Sequence, residues 1–269
     1  MIGVCSWSLR AKTPAELVER VRASGADAVQ LALSASDVED RALAGAGIAI
    51  RSGMFSTHGE DYSTLESIRR TGGLRPDAHW KRNLAAAEAV AKTAGRLDLP
   101  LVSFHAGFLP EERGGRERAT MIDRLRQVVD VFARHDIRTA LETGQERAEV
   151  LLDVLAELDR PACGVNFDPA NMILYGMGDP VDALARLAPR VLQIHVKDAR
   201  ATKVPGTWGE EVVAGTGEVD WPAFFAVVRR AKLDVDLMIE REAGEDRVGD
   251  IARARALVER ETARGAVAR

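Results

Sequence analysis

Glu142, Asp168, His195 and Glu240 each close a short apolar run: Ala140-Leu141-Glu142, Cys163 to Asp168, Val191 to His195, and Leu237-Met238-Ile239-Glu240. An ionised carboxylate is costly to bury unless something pairs with it, so three carboxylates and an imidazole at four strand-like ends point to a bound cation. The set is hard and oxygen-rich. It suits one divalent ion, Mn²⁺ foremost, with Mg²⁺ and Co²⁺ as octahedral alternatives and Zn²⁺ in a catalytic rather than a structural site. With positions left open to substrate oxygens, such an ion is a Lewis acid toward a carbonyl and its neighbouring hydroxyl, and it stabilises the enediolate left when a C–H proton departs.

Each residue also has an ordinary alternative. Glu142 could cap a helix starting near Glu146, and Asp168-Pro169 could simply open a turn. His195 could be a core histidine donating to a backbone carbonyl, and Glu240 could pair with Arg241 or another strand-end arginine. Four unrelated accidents at one face are less economical than one shared ion.

The elements that must position these residues alternate. Apolar strand candidates run from Ile2 to Ser8, Ala28 to Leu33, Ile48 to Phe55, Leu101 to His105, Arg138 to Glu142, Cys163 to Asp168, Val191 to Val196 and Leu237 to Glu240, with helical periodicity between them. Thr13-Pro14-Ala15-Glu16 and Ser36-Asp37-Val38-Glu39 match a capping box, and Asp220-Trp221-Pro222 offers an N-cap followed by proline. Met121, Ile122, Leu125, Val128, Val129 and Phe132 recur at helical spacing and form one apolar face. Eight strands, each followed by a helix, predict an α/β fold, a single (β/α)8 TIM barrel over residues 1–269. An open doubly wound sheet is the competitor, but no glycine-rich phosphate loop follows the first strand. In a barrel the chemistry sits at the C-terminal strand ends. The ligand spacings of 168 − 142 = 26 and 195 − 168 = 27 are one repeat each, and 240 − 195 = 45 is one repeat plus a long loop.

Two connections at that face are unusually long, 57–76 and 198–219, and a third, 107–116, carries Gly114-Gly115. They read as lids or specificity elements.

With 269 residues, 46% hydrophobic and 29% charged, and a formal charge of −4, the chain has the balance of a soluble globular protein and no basic stripe for nucleic acid. No apolar run reaches a membrane span, and the first residues do not form a signal peptide. Cys5 and Cys163 read as buried thiols in a cytoplasmic protein. The expected partner is a small molecule, with neither nucleic acid nor membrane; homo-oligomers are compatible with such barrels, but no segment marks an interface.

The segments Leu141-Glu142-Thr143, Asn166 to Asn171, Ile194 to Asp198, Gly215 to Trp221 and Ile239 to Glu242 resemble the xylose isomerase-like barrels, in particular the sugar phosphate isomerase/epimerase group with its ketose 3-epimerases and its inosose isomerases and dehydratases. The resemblance covers nearly the whole chain. It narrows the small-molecule partner to a sugar or polyol, and it implies that Glu142, Asp168, His195 and Glu240 are the metal ligands and that Glu142 and Glu240 flank the substrate as acid and base. Two carboxylates on opposite faces could remove a proton from one side and return it to the other, which is epimerisation. One departure is Asn171, where many relatives carry histidine; an amide can bond a hydroxyl but is no base. Endonuclease-IV-like members use that histidine in a three-metal site, so Asn171 argues against DNA repair.

Further substrate-facing candidates are His105, which ends the fourth strand, Lys197, which shares a face with His195, Trp208 in the long seventh loop, and Glu218 beyond it. Lys197 could instead pair with Glu218 or Asp198. Trp7, Phe55 and Phe108 are other rings near the mouth, core packing being the commoner fate for the first two. Arg113, Arg116, Arg200 and Lys203 are the loop cations that could reach a phosphate, although an unphosphorylated sugar is preferred. The leading expectation is a metal-dependent sugar isomerase or epimerase. A dehydratase or lyase on an inosose, 3-keto sugar or glycoside is the alternative, and a non-catalytic sugar-binding barrel the third.

Overall fold

The computed structural model describes residues 1–33 and 38–266, so the cap at Ser36-Asp37 lies outside the described residues. Its centre is a closed barrel of eight parallel strands: β1 (Ile2–Cys5), β2 (Ala28–Ala32), β3 (Ala49–Met54), β4 (Leu101–Phe104), β5 (Arg138–Glu142), β6 (Cys163–Phe167), β7 (Val191–Val196) and, after a short two-stranded insertion, β10 (Asp236–Ile239). Closure comes from β1 pairing with β10, with Val4 opposite Ile239. The expected barrel is what forms.

Apart from the start of β3, where Ala49 and Arg51 are exposed, the barrel strands are buried on both sides over most of their length, which is why the runs read as nearly continuous apolar sequence. Outward residues such as Phe167 meet the helix layer, where its ring lies 5.9 Å from Phe224. The inward layer is unusually polar: Gln30, Ser52, Ser103, Asn166, Gln193 and His195 are all buried. The helix α5 (Arg116–Ala133) buries the whole stripe predicted from its spacing, from Met121 to Phe132.

Two of the predicted caps are present. Asp220 accepts from the Ala223 backbone N–H at the start of α9 (Trp221–Arg230). Thr13 accepts from Glu16 N at 3.2 Å, but the Glu16 carboxylate turns back to Lys12 N rather than to Thr13, displacing the reciprocal bond by one residue. The first strand is shorter than its apolar run suggested. Ser6 Oγ accepts from Ala32 N and Ser8 Oγ from Arg241 N, and these bonds hold Ser6–Leu9 as a 3-10 turn that carries Trp7 over the barrel mouth.

The long loops gain their own order. The seventh folds into a hairpin, β8 (Asp198–Arg200) against β9 (Glu210–Val212). Buried Asp198 organises it by accepting from Gly215 N, Gly217 N, Val219 N and the Trp221 indole N–H at 2.8 to 3.2 Å. A Cβ at Gly217 would stand 2.1 Å from the Asp198 carboxylate, so glycine is needed for that approach. The third loop presses on the fourth at Gly73, whose φ is +66° and where a Cβ would lie 2.0 Å from the Ala106 carbonyl oxygen. Among the described residues no helix is long and apolar enough to cross a membrane.

Candidate active site

The four strand-end residues converge. Glu142 ends β5, Asp168 follows β6, His195 lies in β7 and Glu240 follows β10, four adjacent strands of the barrel. One donor atom from each lies within 4.8 Å of all the others, and the four residues are 0 to 5% exposed. His195 Nδ1 stands 3.5 Å from Glu142 Oε1, 3.7 Å from Asp168 Oδ2 and 3.3 Å from Glu240 Oε2. An octahedral ion about 2.1 Å from each donor sets neighbouring donors about 3 Å and opposite ones about 4 Å apart, so the spacing fits.

Two buried atoms, Asp168 Oδ2 and His195 Nδ1, have no hydrogen-bond partner, and both point into this cluster. Buried polar atoms are rarely left so. Asp168 divides its work: Oδ1 accepts from Asn171 N and caps α7 (Pro169–Tyr175), while Oδ2 is left to the cluster. Of the ordinary alternatives, only this cap is found, and it coexists with the cluster. Glu142 caps no helix, because α6 (Ala148–Leu158) starts from Arg147, and Arg241 pairs with Glu211 and Asp250 instead of Glu240.

A buried amide layer orients the imidazole. Gln30 Nε2 donates to Ser103 Oγ at 2.7 Å, which turns Gln30 Oε1 toward His195 Nε2, also at 2.7 Å. Nε2 donates to Gln30 Oε1, with Asn166 Nδ2 a further 3.0 Å neighbour, and Nδ1 is the ring nitrogen turned toward the three carboxylates. Asn166 Nδ2, held by Gln193 through Asn166 Oδ1, donates to Glu142 Oε2 at 3.2 Å. Ser52 continues the chain to Gln193 at 2.6 Å.

Burial opposes charge on every member of the cluster, and mutual attraction overrides it for most of them. For Glu142 the imidazoles of His105 and His195 outweigh burial and lower its pKa; for Glu240 it is Lys197 and then His195, and the lowering is larger. Burial raises Asp168, with Lys197 opposing. Despite burial, Glu142 and its neighbours hold the His195 proton well above the ordinary imidazole range. The three carboxylates therefore favour a cation at Nδ1, and a metal ion would take that proton's place. Lys197 remains an ammonium: burial is outweighed by Glu240 at 3.0 Å and Glu242 at 2.7 Å.

Above the cluster opens a cavity of about 560 Å³, ample for a sugar-sized ligand. His105, Asn171, Lys197 and Trp208 line it, as expected. His105 Nε2 lies 3.5 Å from Glu142 and leaves Nδ1 without a partner. Asn171 donates to Glu142 Oε1 at 2.9 Å, and the Trp208 indole N–H is buried without an acceptor. Glu218 does not line the cavity. It is exposed on the outer side of the hairpin, accepting from Ala201 N, because the Asp198 nest turns that segment away. Lys197 pairs with neither Glu218 nor Asp198.

Several cavity residues were missed or given another role in the sequence. Trp7 is no core ring: its indole N–H donates to Glu240 Oε1 at 2.6 Å. Glu60 and Tyr62 arrive from the third loop, Leu174 and Tyr175 from α7, and Glu211 and Glu242 from the hairpin and the last strand end. Their apolar and charged types carry no local signal. Gln30, Asn166 and Gln193 did carry one, as uncharged polar residues inside buried strands, two of them a two-residue step from a ligand.

A 3-oxo-isoapionate decarboxylase of Pectobacterium atrosepticum is 28% identical over 120 residues, and that match spans 43% of each chain. The solved structure of a xylose isomerase domain protein from Planctomyces limnophilus is 31% identical, covers 91% of both chains and superposes with a TM-score of 0.85. An L-ribulose 3-epimerase structure shares the fold at 17% identity, with a TM-score of 0.74 and coverage of 99% of this chain and 96% of its own. The family model described as xylose isomerase-like TIM barrel matches residues 18–261, and with the closed barrel and its strand-end cluster the chain belongs to that family.

Proposed function

We propose that the protein is a divalent-metal-dependent sugar isomerase or epimerase that moves a proton at the carbon beside a carbonyl, on a keto sugar or cyclic polyol. The observation that carries this reading is the pair Glu142 and Glu240, two ionised carboxylates reaching one buried cluster from strands separated by two others. When bound by Glu142, Asp168, His195 and Glu240, a divalent ion, Mn²⁺ foremost, polarises a substrate carbonyl and its neighbouring hydroxyl.

The side chains do the rest. Glu142 is steadied by Asn166, Asn171 and His105, and Glu240 by Trp7 and Lys197, so each carboxylate is fixed in place and ionised, as a base must be. One glutamate, as the carboxylate, takes the proton from one face of the substrate carbon; the other first picks up a proton from solvent in the open cavity and delivers it to the opposite face, and the first then releases its own to solvent. Lys197 donates to a substrate oxygen, and His105 Nδ1 and Asn171 bond hydroxyls. The test is solvent-deuterium incorporation by the Mn²⁺-loaded protein over a panel of ketoses and inososes. Glu142→Gln and Glu240→Gln should each abolish it while the fold persists; unaltered exchange in both would end the two-base scheme.

A second reading, a lyase or dehydratase, is favoured by Lys197 and His105, two proton donors able to assist a departing group. An unsaturated or shortened product in the mass spectrum would select it.

A further inference from the structure

The charged groups lining the cavity are four glutamates, Glu60, Glu211, Glu240 and Glu242, with Lys197 and His105; among the described residues no arginine lines it. The Lys197 ammonium is already held between Glu240 and Glu242 at 3.0 and 2.7 Å. The Glu60 carboxylate accepts from three donors, Thr57 Oγ1, Gly73 N and Tyr62 Oη, at 2.8 to 3.3 Å. Glu211 is matched by Arg241 at 2.7 Å.

Three ligand carboxylates, a divalent ion and Lys197 sum to zero. Glu60 and Glu242 then leave two negative charges on the walls, and a protonated His105 would still leave one. The loop cations expected to greet a phosphate do not line the cavity: Arg113 is drawn off to Asp153, Arg116 faces an outer groove on α5, Arg200 bonds the Thr216 carbonyl, and Lys203 is exposed. The remaining wall is apolar and aromatic, with Tyr175 and Trp208 in edge contact at 4.9 Å. Such a surface suits the C–H face of a sugar.

We propose that this cavity selects an uncharged polyhydroxy ketone and rejects analogues bearing a carboxylate or phosphate. The inference rests on the proton-transfer reading of the same site. One added negative charge about 6 Å from one uncompensated wall charge, at an effective dielectric constant of about 20, corresponds to roughly a hundredfold discrimination.

The experiment compares matched ketoses, D-fructose with D-fructose 6-phosphate and D-fructuronate, and L-ribulose with L-ribulose 5-phosphate, using the Mn²⁺-loaded protein in D₂O. Binding of each is followed in parallel by quenching of tryptophan fluorescence. Neutral members should exceed their anionic counterparts by about a hundredfold in kcat/KM or in affinity. The double variant Glu60→Gln, Glu242→Gln should shrink that ratio at least tenfold. An anionic member equal to or better than its neutral counterpart, or a ratio unmoved in the double variant, overturns the inference. Preferential binding of the neutral members with no exchange supports the selectivity while refuting proton transfer; neither binding nor exchange by any member refutes both.

Discussion

Replacing Gln30 by leucine isolates the layer beneath the proposed metal ligands. Gln30 Oε1 is the acceptor for the His195 Nε2 proton at 2.7 Å, and Gln30 never touches the carboxylate cluster. In Gln30→Leu the imidazole can rotate or change tautomer, so that Nδ1 is no longer held toward Glu142, Asp168 and Glu240. Loss of such a partner lowers metal affinity by about 10- to 100-fold, which is about 1.4 to 2.7 kcal/mol. A separate cost falls on the protein itself, because Ser103 loses its donor and buried His195 Nε2 is left with only the weak Cys5 sulfur at 3.8 Å, about 1 to 3 kcal/mol in all. Mn²⁺ titration calorimetry reads the first quantity and urea unfolding without metal reads the second. A drop in stability with Mn²⁺ affinity unchanged within twofold would refute the orienting role and leave Gln30 as a packing residue.

Other consequences can be checked. Glu142→Gln and Glu240→Gln should each lower the exchange rate by about 10² to 10⁴ with little change in the circular dichroism spectrum, as expected for loss of a proton-transferring group; a loss below tenfold would argue against that role. Burial alone pushes the Glu146 carboxyl up to about 8, and its Oε1 has no partner, so the folded chain holds a proton that the unfolded chain releases near its ordinary 4.5. Its contribution to stability is then complete below about pH 4.5 and is lost as pH rises toward 8, by at most about 5 kcal/mol. Glu146→Gln should flatten the pH dependence of unfolding over that window, and identical wild-type and variant curves would contradict this. Gly73→Ala should destabilise by more than about 2 kcal/mol in urea unfolding, since the new Cβ meets the Ala106 carbonyl at a positive φ; a neutral result would show that the third and fourth loops separate freely.

The barrel was legible because its strands are buried on both sides over most of their length and its helices on one, so periodicity alone separates them. The ligand cluster was legible for a related reason: an acidic or imidazole side chain ending an apolar run has few inexpensive fates. What failed was the rim. Glu218 lies near the loop glycines in sequence, yet the backbone N–H groups gathered by Asp198 turn its segment outward. Trp7 reads as core because it continues an apolar run, and only the serine bonds at Ser6 and Ser8 lift it over Glu240. Lys197 could be placed on the inner face by alternation, but its partners, Glu240 and Glu242, lie more than forty residues away. Such long-range charge pairings leave no local pattern.

The most direct test of the central claim is calorimetric titration of metal-free protein with Mn²⁺, beside the Asp168→Asn variant. The site described here predicts one ion per chain in the wild type and at least a tenfold loss of affinity in the variant, whose amide retains the helix cap through its carbonyl oxygen but lacks the carboxylate charge facing His195. No binding at millimolar Mn²⁺, or equal affinity in both proteins, would contradict the assignment of Glu142, Asp168, His195 and Glu240 as a metal centre.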